Sequence, residues 1–83
     1  MYQIEFSDNA LRFFNKLDRN IQERMGAVFE RIKIRPQDFV EKLVGEPGYK
    51  LRIGDYRVFL DIFQDKLLIF VIEISHRKNA YKR

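Results

Sequence analysis

Residues 49–58 read YKLRIGDYRV, and this segment contains two strand-like runs on either side of Gly54-Asp55. A glycine-aspartate pair between such runs is typical of a two-residue hairpin turn. A turn of that length fixes the register and predicts three cross-strand pairs: Ile53 with Tyr56, Arg52 with Arg57, and Lys50 with Phe59. The segment therefore predicts an antiparallel hairpin, around which the rest of the chain can be arranged.

Because side chains alternate between the two faces of a sheet, this hairpin has one apolar and one basic face. The apolar face should lie beneath the helices and consists of Tyr49, Leu51, Ile53, Tyr56, Val58, Leu60 and Ile62. The basic face carries Lys50, Arg52 and Arg57, with Phe59 and Phe63 alongside.

The basic face is a candidate binding surface. Two arginines directly opposite each other repel, so fold stability alone disfavours the pair, whereas an anion between them would favour it. Cations beside exposed phenyl rings suit the phosphates and bases of a nucleic acid. The alternative is that these side chains are solvated and protect a sheet edge from aggregation. A three-residue turn would also break the register and scatter the cluster.

Outward from the hairpin, the sequence alternates between strand-like and helical patterns. Residues 2–6 alternate as a strand, Ser7 is a good helix N-cap, and two amphipathic helical stripes follow, the second closed by Pro36. Residues 37–48 form a connection that has room for a helical turn at 38–43. Residues 67–75 are apolar at nearly every position, which is typical of a central strand covered on both faces.

The predicted fold class is α+β. Two N-terminal helices pack on a four-stranded, mostly antiparallel sheet, in the order β-α-α-β-β-β, and a short basic C-terminal tail follows. No repeat or linker is visible, so a single domain spanning 1–83 is expected.

Charge and composition narrow the class of protein. The chain has 16 basic and 12 acidic residues, and the whole net charge of +4 comes from residues 50–83. This asymmetry indicates a polyanionic partner, nucleic acid first, although a basic tail that only aids solubility is the alternative. With no Cys and one His, neither a thiolate nor a His-rich metal site is expected. No signal peptide or membrane-length apolar run is visible, so we expect a cytoplasmic location and no membrane partner.

The basic excess extends to the end of the chain. Residues 76–83 include Arg77, Lys78, Lys82 and Arg83, with Tyr81 among them. They follow the last strand directly and must emerge at one end of the sheet, but the sequence leaves open which end. His76 is a candidate general base, although a lone histidine beside basic residues is more often a surface or hinge residue.

Residues 49–58 together with SHRKNAY at 75–81 resemble the C-terminal signature of the RelE/ParE toxin superfamily. The preceding strand and two amphipathic helices are similar to that superfamily too, so the resemblance covers nearly the whole chain. Within it, the chain most resembles the RelE-type toxins of type II toxin–antitoxin systems. The resemblance implies a ribosome-dependent endoribonuclease that cleaves messenger RNA in the A site by attack of the ribose 2′-hydroxyl, and so inhibits translation.

The resemblance also implies roles for particular residues. The catalytic set would be Lys50, Arg57, Arg77 and Tyr81, with Arg52 as a supporting phosphate contact. The basic face and the basic C-terminal segment themselves suggest Phe59, Lys78, Lys82 and Arg83 as further RNA contacts. Either Lys50 or Tyr81 could be the general base, and neither a metal nor a cofactor is needed. RelE toxins often have a second lysine two residues before the first, and that position here is Gly48.

Two alternative functions remain open, and a protein partner is expected. A ParE-like inhibitor of DNA gyrase would share the fold, and a non-catalytic RNA- or ribosome-binding module would use the same basic face. The expected partner besides the ribosome and messenger RNA is an acidic, RelB-like antitoxin. Phe59, Phe63 and a free edge on the strand at 49–53 would give it a surface, unless the two rings pack under the C-terminal tail.

Overall fold

The computed structural model describes residues 1–77, which form two helices and five strands. In chain order these are β1 (Gln3–Phe6), α1 (Asp8–Asn15), α2 (Arg19–Ile32), β2 (Glu41–Lys42), β3 (Tyr49–Ile53), β4 (Tyr56–Phe63) and β5 (Leu68–His76), with a 3-10 turn at Pro36–Asp38 before β2. No helix within residues 1–77 is long and apolar enough to cross a bilayer.

The five strands form one mixed sheet in the order β1-β5-β4-β3-β2. β1 runs parallel to β5, and the other three pairings are antiparallel. The α+β class, the two helices and the mostly antiparallel sheet are thus confirmed, but the sheet has five strands instead of the four predicted.

The extra strand is β2, and it lies where a helical turn seemed possible. The 3-10 turn ends at Asp38, and Glu41 and Lys42 then pair with Lys50 and Tyr49. Main-chain hydrogen bonding to β3 therefore replaces helical geometry at 41–42. As a consequence, the edge of β3 that was expected to be free is covered along Tyr49 and Lys50.

Ser7 joins the first helix to the sheet. Its side-chain oxygen accepts a hydrogen bond from the backbone N–H of Ala10 at 3.0 Å, which confirms Ser7 as the N-cap of α1. The same hydroxyl donates to the backbone oxygen of Ile72 in β5 at 2.6 Å. The cap therefore also fixes where α1 begins relative to the sheet.

The hydrophobic core lies between the helices and one face of the sheet. α2 contributes Met25, Phe29 and Ile32, and the sheet contributes Leu51, Ile53, Val58, Leu60, Ile69, Val71 and Ile74, all less than a tenth exposed. The predicted apolar face of the hairpin is therefore the face beneath the helices.

The prediction that β5 is covered on both faces is wrong. A bulge lies opposite Phe59 and Leu60, where Phe59 pairs with Glu73 and Leu60 with Val71, so that Ile72 is an extra residue. The bulge changes the alternation, and Val71 and Ile74 both face the core although they are three residues apart. This accounts for part of the continuous apolar run, while Ile72 itself remains 41% exposed.

Candidate active site

The hairpin has the predicted two-residue turn. Arg52 pairs with Arg57, Lys50 with Phe59 and Ile53 with Tyr56, and Gly54 has a φ of +57°. A positive φ is accessible to glycine at little steric cost, which explains why glycine begins this turn. Lys50, Arg52 and Arg57 therefore share the sheet face opposite α1 and α2, called the open face below.

The register of β5 decides where the C-terminal basic segment begins. His76 pairs with Tyr56, and the backbone N–H of Arg77 donates to the backbone oxygen of Asp55 at 2.7 Å. The His76 and Tyr56 rings meet edge to face, with their centroids 5.1 Å apart. The chain thus leaves β5 at the end of the sheet that bears Arg57, which the sequence had left open.

These elements enclose a cavity of about 160 Å³ at the hairpin end of the sheet. Its lining residues are Arg52, Gly54, Asp55, Tyr56, Arg57 and Arg77. Within residues 1–77, neither Arg52 nor Arg77 has an ion-pair partner. Three guanidinium groups against one carboxylate favour an anion, and the planar guanidinium fork matches two phosphate oxygens at once.

Lys50 lies on the same face but outside this cavity. It is half-buried, with Glu41 of β2 on one side and Phe59 on the other, and Glu73 of β5 follows Phe59 in the same row. The open face therefore has more carboxylates near Lys50 than its hairpin alone indicated. Lys50 and Arg52 are two residues apart on one strand, roughly 7 Å, a distance that a lysine side chain can span.

The two phenyl rings of the basic face differ in exposure. Phe59 is half-buried, whereas Phe63 is 39% exposed and has the Lys66 ammonium 5.8 Å from its ring centroid. Four of the predicted site residues, Lys78, Tyr81, Lys82 and Arg83, lie outside the described residues. Their assignment stays a prediction, as does the packing of the rings under the tail.

One polar residue near the cavity was not anticipated. Ser75 of β5 pairs with Arg57 of β4 and is 7% exposed. Its hydroxyl has no hydrogen-bond partner among residues 1–77. A buried hydroxyl that makes no hydrogen bond typically costs about 1–3 kcal/mol of stability. Only the register of β5 against β4 reveals its burial opposite Arg57, because the sequence shows this serine only as the first residue of the 75–81 segment.

Gly48 explains why the second lysine of many RelE toxins is absent here. Its φ is +102°, and a Cβ on it would lie 3.3 Å from both Asp61 Oδ1 and the backbone oxygen of Leu60. A side chain at this position is strained by the backbone angle and crowded by its neighbours.

We expect Gly48→Lys to destabilise the protein by about 1–3 kcal/mol, since a residue with a side chain must adopt a sparsely populated backbone conformation. Urea denaturation measures this change. The matched control is Gly26→Lys on α2, where a Cβ would meet nothing within 4 Å and lysine should gain roughly 0.5 kcal/mol through its helix propensity. Equal stability of the two variants would contradict the explanation.

Comparison with known proteins identifies the fold. The isolated Escherichia coli RelE toxin superposes with a TM-score of 0.79 at 26% identity, covering 100% of this chain and 98% of that one. The toxin–antitoxin complex RelBE of Escherichia coli gives a TM-score of 0.78 at 27% identity, with 92% and 96% covered. An archaeal RelE–RelB complex from Pyrococcus horikoshii, at 22% identity and a TM-score of 0.78, covering 92% and 94%, shows that the fold is shared.

Sequence comparison agrees with the structural likeness. The mRNA interferase toxin RelE of Escherichia coli (strain K12) is 27% identical over 82 residues, which cover 95% of this chain and 86% of that protein. The family model of the ParE toxin of type II toxin–antitoxin systems, parDE, matches residues 4–81. The fold and these matches define a toxin of the RelE/ParE superfamily. The chain belongs to the family of ParE toxins of type II toxin–antitoxin systems.

Proposed function

We propose that this toxin is an endoribonuclease that cleaves messenger RNA in the ribosomal A site and thereby inhibits translation. The observation that carries the proposal is the cavity at the hairpin end, where Arg52, Arg57 and Arg77 converge. The likeness to the mRNA interferase RelE supports RNA as the anion.

The proposed reaction is in-line attack of a ribose 2′-hydroxyl on the adjacent phosphate. The 2′-oxygen bonds to phosphorus, the bond to the 5′-oxygen breaks, and a 2′,3′-cyclic phosphate and a 5′-hydroxyl end result. Negative charge builds on the phosphoryl oxygens, and arginines fixed around the phosphate stabilise that charge without reorganisation. Arg57 and Arg77 would have this role, with Arg52 as a supporting contact.

The proton transfers need a base for the 2′-hydroxyl and an acid for the leaving 5′-oxygen. Lys50 and Tyr81 are the candidates. Lys50 is placed next to the arginines on the open face, and the RelE resemblance supplies Tyr81. These groups suffice for the proposed chemistry, so the proposal includes no metal ion or cofactor.

The proposal is tested by adding the purified protein to a reconstituted translation reaction and mapping new messenger ends. We expect cuts within codons of the translated messenger and much weaker cleavage of the same RNA without ribosomes. Inhibition of gyrase supercoiling with intact messenger would instead support the ParE-like alternative. Ribosome binding without new ends would support a non-catalytic binding module.

We also propose a small acidic antitoxin as the partner of this chain. The support is that several proteins of the same fold have been solved as RelE–RelB toxin–antitoxin complexes, including one from Escherichia coli at 27% identity. Charge agrees with this, because the basic excess lies on residues 50–83. β2 covers the β3 edge at residues 49–50, which disfavours addition of an antitoxin strand there. The exposed Phe63 and the arginine cavity are therefore the stronger candidates for antitoxin contacts.

We expect hydrogen exchange of the complex with the co-expressed neighbouring protein to show added protection in residues 49–63 or 75–83. The partner could cover Lys50, Arg52 and Arg57 or displace the segment from Arg77 to Tyr81. In both cases, amides that lie beneath the bound partner exchange more slowly. The control is α2, which packs on the opposite face of the sheet from Lys50, Arg52 and Arg57. Protection confined to other regions, in a complex shown to form, would contradict this placement.

A further inference from the structure

A fourth arginine reaches the hairpin turn beside the cavity from the helix layer. Arg24 lies on α2, and its Nη1 atom is 3.1 Å from the position that a Cβ on Gly54 would occupy. Gly54 lines the cavity with Arg52, Arg57 and Arg77. Those three arginines lie on the open face and at the end of β5. Arg24 approaches the same end of the sheet from the opposite, helix-covered face.

No ion pair or side-chain hydrogen bond within residues 1–77 holds Arg24 in this position. Arg19 on the same helix is 3.6 Å from Glu23, and Arg35 is 4.0 Å from Asp38. Arg24 is exposed and has neither an ion pair nor a hydrogen bond from its side chain to any residue of 1–77. Its guanidinium adds a positive charge beside the turn whose cavity already holds three arginines, and an anion would offset that charge.

The shape of the turn leaves room for an extended ligand. Gly54 has no side chain between Arg24 and the cavity, and both Gly54 and Asp55 are exposed. A single phosphate inside the cavity would engage the three arginines of the open face. An adjacent phosphate of the same strand, lying over Gly54, would be within reach of Arg24.

We propose that Arg24 is a second phosphate-binding site, which holds the phosphate next to the one in the arginine cavity. This inference rests on the proposed RNA substrate. It specifies a single-stranded RNA with at least two consecutive phosphates, whose backbone passes from the open face over the Gly54-Asp55 turn toward α2. Arg24 is therefore a substrate-binding residue that directs the strand and is not one of the groups around the reacting atoms.

The test is the salt dependence of binding to a short single-stranded RNA whose 2′-hydroxyls are methylated to prevent cleavage. Each phosphate contact contributes about −0.7 to the slope of log K against log salt concentration for a single strand. We expect Arg24→Gln to make the slope shallower by about 0.7 and to weaken binding at low salt. Arg24→Lys keeps the charge and should retain most of the wild-type slope.

The matched control is Arg31→Gln, the same substitution on the same exposed helix but at the far end of the sheet. The C-terminal end of α2 lies at that end of the sheet, because the backbone carbonyl of Lys33 accepts a hydrogen bond from the N–H of Tyr2 at the start of β1. Arg31→Gln should leave the slope unchanged. Equal slopes in both Gln variants, with wild-type RNA binding intact, would overturn the Arg24 site alone. Absence of wild-type binding at low salt would also overturn the Arg24 site, whereas the messenger substrate itself is tested separately by cleavage on the ribosome.

Discussion

Messenger cleavage by the Arg57→Ala variant should be slower than wild-type cleavage by about 100-fold or more, because removing one fixed donor to a developing oxyanion typically has an effect of that size. Arg57 is half-buried, lines the cavity and is paired across the sheet with Arg52. The measurement is the single-turnover cleavage rate on translated messenger, together with growth arrest on expression.

The control for Arg57→Ala is Arg31→Ala, an exposed arginine on α2 at the other end of the sheet, which should keep the wild-type rate. Thermal unfolding of both variants shows that the protein is folded. Wild-type toxicity of a well-expressed Arg57→Ala variant would contradict the site assignment.

The Lys50→Ala variant separates two roles for this lysine. If Lys50 is the general base, cleavage is lost even at saturating messenger. If Lys50 is a phosphate contact, the variant only binds RNA more weakly and with a shallower salt dependence.

The second large effect is expected at the end of β5. Arg77→Ala and Tyr81→Ala should each lose most of the cleavage activity, while His76→Ala should keep most of it. Arg77 lines the cavity, and the resemblance to RelE toxins predicts a catalytic role for Tyr81. His76 instead packs edge to face against Tyr56, so its loss should reduce stability by about 0.5–1.5 kcal/mol.

Cleavage rates and unfolding free energies must both be measured for these variants, because a destabilised His76→Ala protein could lose activity by unfolding. Rates are therefore compared at a temperature where every variant is folded. A folded His76→Ala protein that is inactive, beside an active Tyr81→Ala protein, would show that the acid–base group is His76.

The hairpin and its basic face were predictable because their determinants are local. Gly54-Asp55 permits only a short turn, and a two-residue turn fixes every pair from Ile53–Tyr56 outward. Alternation along the strands then assigns the faces without further information. The N-cap at Ser7 is local in the same sense, since it depends on a hydroxyl and the N–H three residues later.

Features that depend on distant pairing were not predictable. β2 has two residues and no strand-like pattern, and it exists because the edge of β3 offers hydrogen bonds. The bulge near Ile72 is set by the pairing of β5 with β4. A continuous apolar run does not show which of its side chains face the core and which face the open side of the sheet. Consequently neither the place of Arg77 nor the burial of Ser75 could be fixed from sequence. Arg24 reaches the turn through helix packing, and its spacing along α2 gives no sign of this.

We propose that the arginine cavity cuts RNA by attack of a 2′-hydroxyl. A messenger with one 2′-deoxynucleotide at the mapped cut site in the ribosomal A site tests this mechanism. We expect a 2′,3′-cyclic phosphate on the product from the unmodified messenger and no cut at the substituted position. Cleavage of the 2′-deoxy position at the unmodified rate, or a 3′-hydroxyl end on the product, would contradict it.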